Sequence, residues 1–337
     1  MGAWHALDPR HLRLGTQGDQ PSVGRSLAYW RFRDRARDAV PRRAGRRQCA
    51  GHAVRAADQG RNSGPRLLRQ HRRGGSTGEA AALSPAEHAH VVATAVDAAS
   101  NRVPVIAGCG APATEAATVL AVAAARNGAA ALLCAPPPYS RPTQEGIAAH
   151  VRAVAHAADL PVILYDVPGR VGVAVADETV ARLHESGLVT AIKDAAGDLS
   201  RPVRLRALCG GELIQFSGDD ATAPAYRAMG GHGCISVSAN LTPALCAEMH
   251  AAWDQGDLVE FARIRDLLAP LHRALFLESS PIPVKAALCI AGLCNGELRL
   301  PLTRASSSTL DTLGMLLPGV IRAEDEAARL PRLSLVT

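Results

Sequence analysis

From about residue 84 onward, short unbroken apolar runs alternate with longer stretches in which apolar residues return every three or four positions. The first pattern is that of a strand buried on both faces, the second that of an amphipathic helix. Ser84-Pro85-Ala86-Glu87 predicts a capping box with proline at the first helical position, opening a helix that runs to about 100. Strands are then predicted over 103–107, 130–135, 161–166, 189–193, 213–217 and 233–238, with helices over 113–127, 143–158, 177–186, 200–208 and 220–229 between them and further helices from 243. A repeat of roughly 25–30 residues that pairs one buried parallel strand with one covering helix predicts an α/β fold, a TIM (β/α)8 barrel with C-terminal helices. Six strands are legible, and the first two that such a barrel needs are not recognisable in this chain.

Residues 1–73 carry neither period, and charge separates them from the rest. They hold 17 arginines against 5 aspartates, a balance of +12, whereas residues 74–337 hold 20 basic against 26 acidic residues, a balance of −6, and together these give the net +6 of the 337-residue chain. The predicted organisation is an Arg-rich atypical segment over 1–73, the barrel over 74–303 and a C-terminal helical tail over 304–337. A strand buried on both faces has no use for Arg69-Gln-His-Arg-Arg73, so the head is expected to be disordered or an out-of-frame reading of a GC-rich gene. Nucleic-acid binding by this head, through phosphates, is disfavoured, because no aromatic interleaving, zinc spacing or recognition helix accompanies the arginines. No apolar stretch approaches the roughly 20 residues of a membrane span, and no signal-peptide pattern opens the chain, which gives a cytoplasmic expectation. The eight cysteines form no CxxC pair, and most lie among apolar neighbours, so small buried thiols in a reducing compartment are expected.

Candidate chemistry collects where predicted strands end, at the mouth of such a barrel. Against 35 arginines the chain has two lysines, and Lys193 ends an apolar strand, where burial lowers an amine's pKa and makes it a nucleophile toward carbonyls. Tyr165 and Tyr139 follow other strands and could relay protons, and Arg170 could hold a carboxylate in its fork. Taken alone, each has a plainer reading: a surface lysine, a core aromatic, half of an ion pair. The Gly-rich loop at 74–79 could cradle a phosphate, while Ser217-Gly-Asp-Asp220, His232 and Lys285 are read as structural.

In combination these segments resemble a known family. Gly75-Ser-Thr-Gly-Glu79, RVPVIAG at 102–108, YDVPGR at 165–170, IKDAAG at 192–197, SGDD at 217–220, GGHGCISVSAN at 230–240, PIPVK at 281–285 and LRLPLT at 298–303 occur in the order found in the 4-hydroxy-tetrahydrodipicolinate synthase (dihydrodipicolinate synthase) family of the pyruvate-dependent class I aldolase superfamily. The resemblance implies a lyase that condenses pyruvate with aspartate semialdehyde in diaminopimelate and lysine biosynthesis. It implies Lys193 as the Schiff-base lysine, Tyr165 as its proton shuttle, Ser76 as a relay hydroxyl and Tyr139 as a tyrosine reaching a neighbouring subunit's site. Thr77 is implied as the binder of the pyruvate carboxylate, Arg170 as the receiver of aspartate semialdehyde, and Ile235 as a backbone lining of the pyruvate site. No metal or organic cofactor is implied, and a homo-oligomer, dimer or tetramer, is. Alternatives from the same sequence are another pyruvate-imine aldolase, such as N-acetylneuraminate lyase or a 2-keto-3-deoxy sugar acid aldolase, and an inactive truncated barrel.

Two departures from the family pattern matter. Pro138 and Ser140 flank Tyr139 where tyrosine and asparagine are common. The positions that shape lysine feedback fall on Ala80, Ala81, Pro85, Pro112, Ala116 and Pro138, with only His88 kept, so feedback by L-lysine is expected to be weak or absent.

Overall fold

A computed structural model describes residues 76–329; the Arg-rich segment 1–73 and the last eight residues of the expected tail lie outside the described residues. Six strands, β1 (Ile106–Gly108), β2 (Ala131–Cys134), β3 (Val162–Asp166), β4 (Val189–Asp194), β5 (Ile214–Ser217) and β6 (Gly233–Cys234), form one parallel sheet in sequence order. This is the arc of a parallel barrel. Each strand except β6 hands over through a helix: α1 (Pro85–Ala99) precedes β1, and α2 (Thr114–Arg126), α3 (Gln144–Ala158), α5 (Asp177–Glu185), α6 (Arg201–Cys209) and α7 (Ala223–Ala228) follow in turn, with a one-turn helix α4 (Pro168–Val171) after β3. The chain then adds α8 (Pro243–Gln255), α9 (Leu258–Ala274), α10 (Ile282–Ile290) and α11 (Ser307–Arg329).

The strands stay buried because both faces are occupied. Successive side chains point to opposite faces, so Ile106, Leu133, Ile163, Ala191, Phe216 and Ile235 fill the barrel interior, while Leu132, Leu164 and Ile192 pack outward under Val151, Val180 and Leu205 of the helices. A fully buried leucine or isoleucine stabilises by about 1.5–3 kcal/mol, and more than a dozen of the sheet and helix residues here are at or below 1% exposure. The final helices enclose a second core around Leu245, Ile264, Leu268, Leu313 and Leu317.

The first helix has the capping box that the sequence predicts, with the Ser84 hydroxyl accepting from the Glu87 amide and the Glu87 carboxylate accepting from the Ser84 amide. Two local expectations are corrected. The first strand begins at Ile106 rather than Val103; Pro104 has no amide to donate to a ladder, and Val103 is exposed. The strand predicted over 233–238 pairs only at Gly233 and Cys234, because the amides of Val237 and Ser238 are taken by the carboxylate of Asp220, at 2.7 and 3.1 Å. After the strand that carries Tyr165 the chain makes one helical turn, with Pro168 at its first position and Gly172 closing it at φ 79°. Of the seven described cysteines, Cys109, Cys134, Cys234 and Cys246 are buried thiols, Cys209 is half-buried, and Cys289 and Cys294 are exposed.

One buried charge cluster ties the ends of β3 and β4 together. Arg201, from the first turn of α6, donates from Nη1 to Asp166 at 2.6 Å and to Asp194 at 3.3 Å, from Nε to Asp177 at 2.7 Å and from Nη2 to the Val175 carbonyl at 2.7 Å. Arg201, Asp166 and Asp194 are all buried. Burial pushes both carboxyls above their ordinary range, and the guanidinium beside them opposes that shift. Removing one partner of such a cluster strands the others in a dry interior. Arg201→Met is therefore expected to lower stability by about 3–5 kcal/mol in a urea titration, whereas Arg204→Met, which removes an exposed arginine paired with Asp177 and Asp198, is expected to shift the midpoint far less. Equal midpoints for the two variants contradict this account.

Candidate active site

The register of the sheet sets the site. Tyr165 pairs with Lys193 across β3 and β4, and Lys193 pairs with Phe216 across β4 and β5. Alternation then decides direction: Ala191 lies in the interior and Ile192 under the helices, so Lys193 turns inward and Asp194 outward to Arg201. The Lys193 amine is 4.2 Å from the centroid of the Tyr165 ring, and the residue is only 3% exposed.

An amine in this position has little water to stabilise its charge. Burial lowers the pKa of Lys193 to about 8, against the attraction of the Cys234 and Asp220 side chains, and the Arg170 guanidinium pushes in the same direction as burial. A usable fraction is thus neutral near neutral pH, which an ordinary lysine at about 10.4 does not provide. Arg170 itself is exposed, and its Nη2 donates to the Ser280 carbonyl at 3.1 Å.

The other residues singled out from the sequence fall into two groups. Ile235 is buried in the interior, its amide donating to the Ser217 carbonyl at 2.9 Å. Thr77 is half-buried in the 3-10 turn Ser76–Gly78, and the side chain of Ser76 lies outside the described residues. Tyr139 stands apart: its side chain is 97% exposed and its φ is 73°, a conformation that a bulky residue adopts only when its surroundings impose it. Within a single chain Tyr139 lines no buried site.

Sequence reasoning missed the supports. Asp166 and Asp194 directly follow Tyr165 and Lys193, sit in register with one another and share Arg201; an acidic residue after each of two strand-end candidates was the available signal. In Ser217-Gly-Asp-Asp220, read as structural, Asp220 accepts from the Ser236 hydroxyl and from two loop amides. Gly218 is required by crowding, since a Cβ there falls 2.9 Å from the Ala195 Cβ and 3.1 Å from the Asp194 carbonyl.

A parallel barrel with a buried, pKa-lowered lysine at its mouth is the framework of an enzyme that works through a carbonyl adduct on an amine. Comparison with known proteins narrows the class. Residues 72–318 match the Dihydrodipicolinate synthetase family. A 4-hydroxy-tetrahydrodipicolinate synthase of Rhodospirillum centenum is 48% identical over 239 residues, covering 71% of this chain and 82% of that protein. Among solved structures, the 4-hydroxy-tetrahydrodipicolinate synthase of Methylacidiphilum fumariolicum SolV superposes with a TM-score of 0.72 at 34% identity, covering 75% of this chain and 85% of that one. The chloride-inhibited dihydrodipicolinate synthase of Acinetobacter baumannii, complexed with pyruvate, superposes with a TM-score of 0.74 at 39% identity, covering 80% of this chain and 91% of that one. The chain belongs to the dihydrodipicolinate synthase family of lyases, and its sheet is part of that family's (β/α)8 barrel. No helix among the described residues is long and apolar enough to cross a membrane.

The depressed amine has a kinetic signature. Imine formation consumes the neutral amine, so kcat/KM for a 2-oxo acid substrate is expected to rise about tenfold per pH unit below the Lys193 value of about 8 and to level off above it. Initial rates from pH 6 to 10 measure this, and a rise that continues to pH 10 contradicts a buried, depressed amine.

Proposed function

We propose that this chain is a 4-hydroxy-tetrahydrodipicolinate synthase that joins pyruvate, held as an imine on Lys193, to aspartate semialdehyde. The observation that carries this reading is the buried Lys193 amine against the Tyr165 ring. The neutral amine adds to the pyruvate ketone, and loss of water gives the iminium. A methyl proton then leaves, and the enamine carbon forms the new bond to the aldehyde carbon of the second substrate. Attack by the substrate's own amino group on the iminium carbon closes the ring and returns the Lys193 amine. The imine is the electron sink, so the sequence of steps is balanced by proton transfers alone.

Tyr165 is the group placed to move those protons, with Ser76 as the intermediate hydroxyl and Tyr139 supplied by a neighbouring subunit. The near-complete exposure of Tyr139 in the single chain supports that last role: a strained, exposed tyrosine makes sense against a second copy, in a dimer or tetramer. Thr77 holds the pyruvate carboxylate, the Ile235 backbone lines the same subsite, and Arg170 receives the carboxylate of aspartate semialdehyde in its planar fork. In this reading the enzyme works in the cytoplasm, in diaminopimelate and lysine biosynthesis. Feedback by lysine is weak in this reading, because alanines and prolines replace most of the positions that would hold it, and His88 is buried with Nε2 at 2.7 Å from the Gly108 carbonyl.

A substrate comparison tests the proposal. Pyruvate is expected to be consumed with aspartate semialdehyde, N-acetylneuraminate is expected not to be cleaved, and added millimolar L-lysine is expected to leave the rate unchanged. Cleavage of N-acetylneuraminate without turnover of aspartate semialdehyde overturns the substrate assignment, and strong inhibition by lysine overturns the feedback reading.

A further inference from the structure

The second of the chain's two lysines sits outside the site just described, yet it is bound to it. Lys285, in the first turn of α10, pairs through Nζ with Oε1 of Glu79. Glu79 is the last residue of the Gly-Ser-Thr-Gly-Glu segment, two positions after Thr77, and it adopts φ 60°. Its other oxygen, Oε2, accepts the Arg299 amide at 2.7 Å. The Arg299 guanidinium in turn grips Glu87 of α1 at 2.6 and 2.9 Å and the Ala82 carbonyl at 3.1 Å. One carboxylate thus fastens the loop carrying Thr77 to two C-terminal segments more than 200 positions away in sequence.

The same C-terminal segment also reaches Arg170. Ser280, five positions before Lys285, accepts from Nη2 of Arg170 at 3.1 Å. Residues 280–285 therefore bridge the two groups assigned to the two substrate carboxylates, through Arg170 at one end and through Glu79 and the Thr77 loop at the other. Burial works against the Glu79 charge, but the Arg299 amide and the Lys285 ammonium outweigh it and hold its pKa below the ordinary value, so the carboxylate is ionised at neutral pH. The pair is mostly sheltered, at 22% exposure for the Lys285 side chain and 10% for that of Glu79. An ion pair with one long flexible partner on a surface contributes little; one that is sheltered and also fixed by a backbone amide defines a position.

We propose that the Lys285–Glu79 ion pair is a positioning device that sets Thr77 against Arg170 across the barrel mouth, and so governs pyruvate affinity rather than the chemistry at Lys193. This rests on the assignment of Thr77 to the pyruvate carboxylate. Lys285 and Glu79 touch no reacting atom and act through the loop.

The test compares Lys285→Met, Lys285→Arg and Glu79→Gln with the full-length enzyme, reading KM for pyruvate, kcat, and the pyruvate concentration that half-saturates imine formation. Lys285→Met and Glu79→Gln are expected to raise both pyruvate constants about tenfold, the scale expected when a binding group is displaced by a fraction of an ångström. They leave kcat within about threefold, and Lys285→Arg recovers most of the affinity. Glu79→Gln keeps the size of the side chain and an oxygen for the Arg299 amide, so it gives a folded protein even where Lys285→Met does not. Unchanged pyruvate constants in Glu79→Gln overturn the proposal, as does a fall in kcat alone in proportion to lost folded protein. Failure of the underlying function looks different, because the unsubstituted enzyme then forms no imine with pyruvate.

Discussion

The guanidinium of Arg201 holds two buried carboxylates, at 2.6 and 3.3 Å, at the ends of neighbouring strands, and the geometry of the barrel mouth follows from that contact. Asp166 and Asp194 are each one residue beyond the side chains that face the reaction space. On a pleated strand, fixing the outward residue fixes the direction of the inward one before it. The 4.2 Å approach of the Lys193 amine to the Tyr165 ring is thus the inner face of an arrangement whose outer face is an ion cluster under the helices. The charges on the outer face are matched by a permanently protonated arginine, while the amine on the inner face lies against the Tyr165 ring with no ion-pair partner among the described salt bridges. Two faces of the same strands carry opposite electrostatic solutions.

The contrast explains how a single fold can hold a reactive amine without losing stability. A charged lysine in the interior is costly, and the protein lowers that cost by letting the amine shed its proton near pH 8. The aspartates next to it cannot follow the same route without releasing Arg201, so they stay paired. Farther along the rim, Asp220 plays a comparable part with neutral donors, collecting a hydroxyl and two amides where β6 leaves the sheet. The C-terminal segment 280–299 completes the rim through Glu79 and Arg170.

Much of this was legible in the sequence, for physical reasons that also mark where legibility stops. Buried parallel strands are continuous apolar runs, and Ser84-Pro-Ala-Glu87 specifies its helix start through contacts three residues apart, so the element series could be read locally. Lys193 stood out because lysine is rare in this chain and rarer still at the end of an apolar strand. The end of β6 could not be read this way, since Val237 and Ser238 have strand-like neighbours and lose their ladder only to a carboxylate 17 or 18 positions away. Arg201 was hidden among 35 arginines, and its role depends on three aspartates from separate elements. The Lys285–Glu79 pair spans 206 positions, and neither member has a local pattern that announces the other. Tyr139 was legible as a candidate, and in the single chain it is 97% exposed.

The central claim is that a carbonyl substrate becomes covalently attached to the one buried lysine. Borohydride reduction in the presence of pyruvate, followed by mass spectrometry of the digested protein, tests it directly, and the presence of a second lysine, Lys285, supplies an internal control. The account predicts a reduced pyruvate adduct on Lys193 and none on Lys285; an adduct on Lys285 alone, or no adduct on a folded protein, contradicts it.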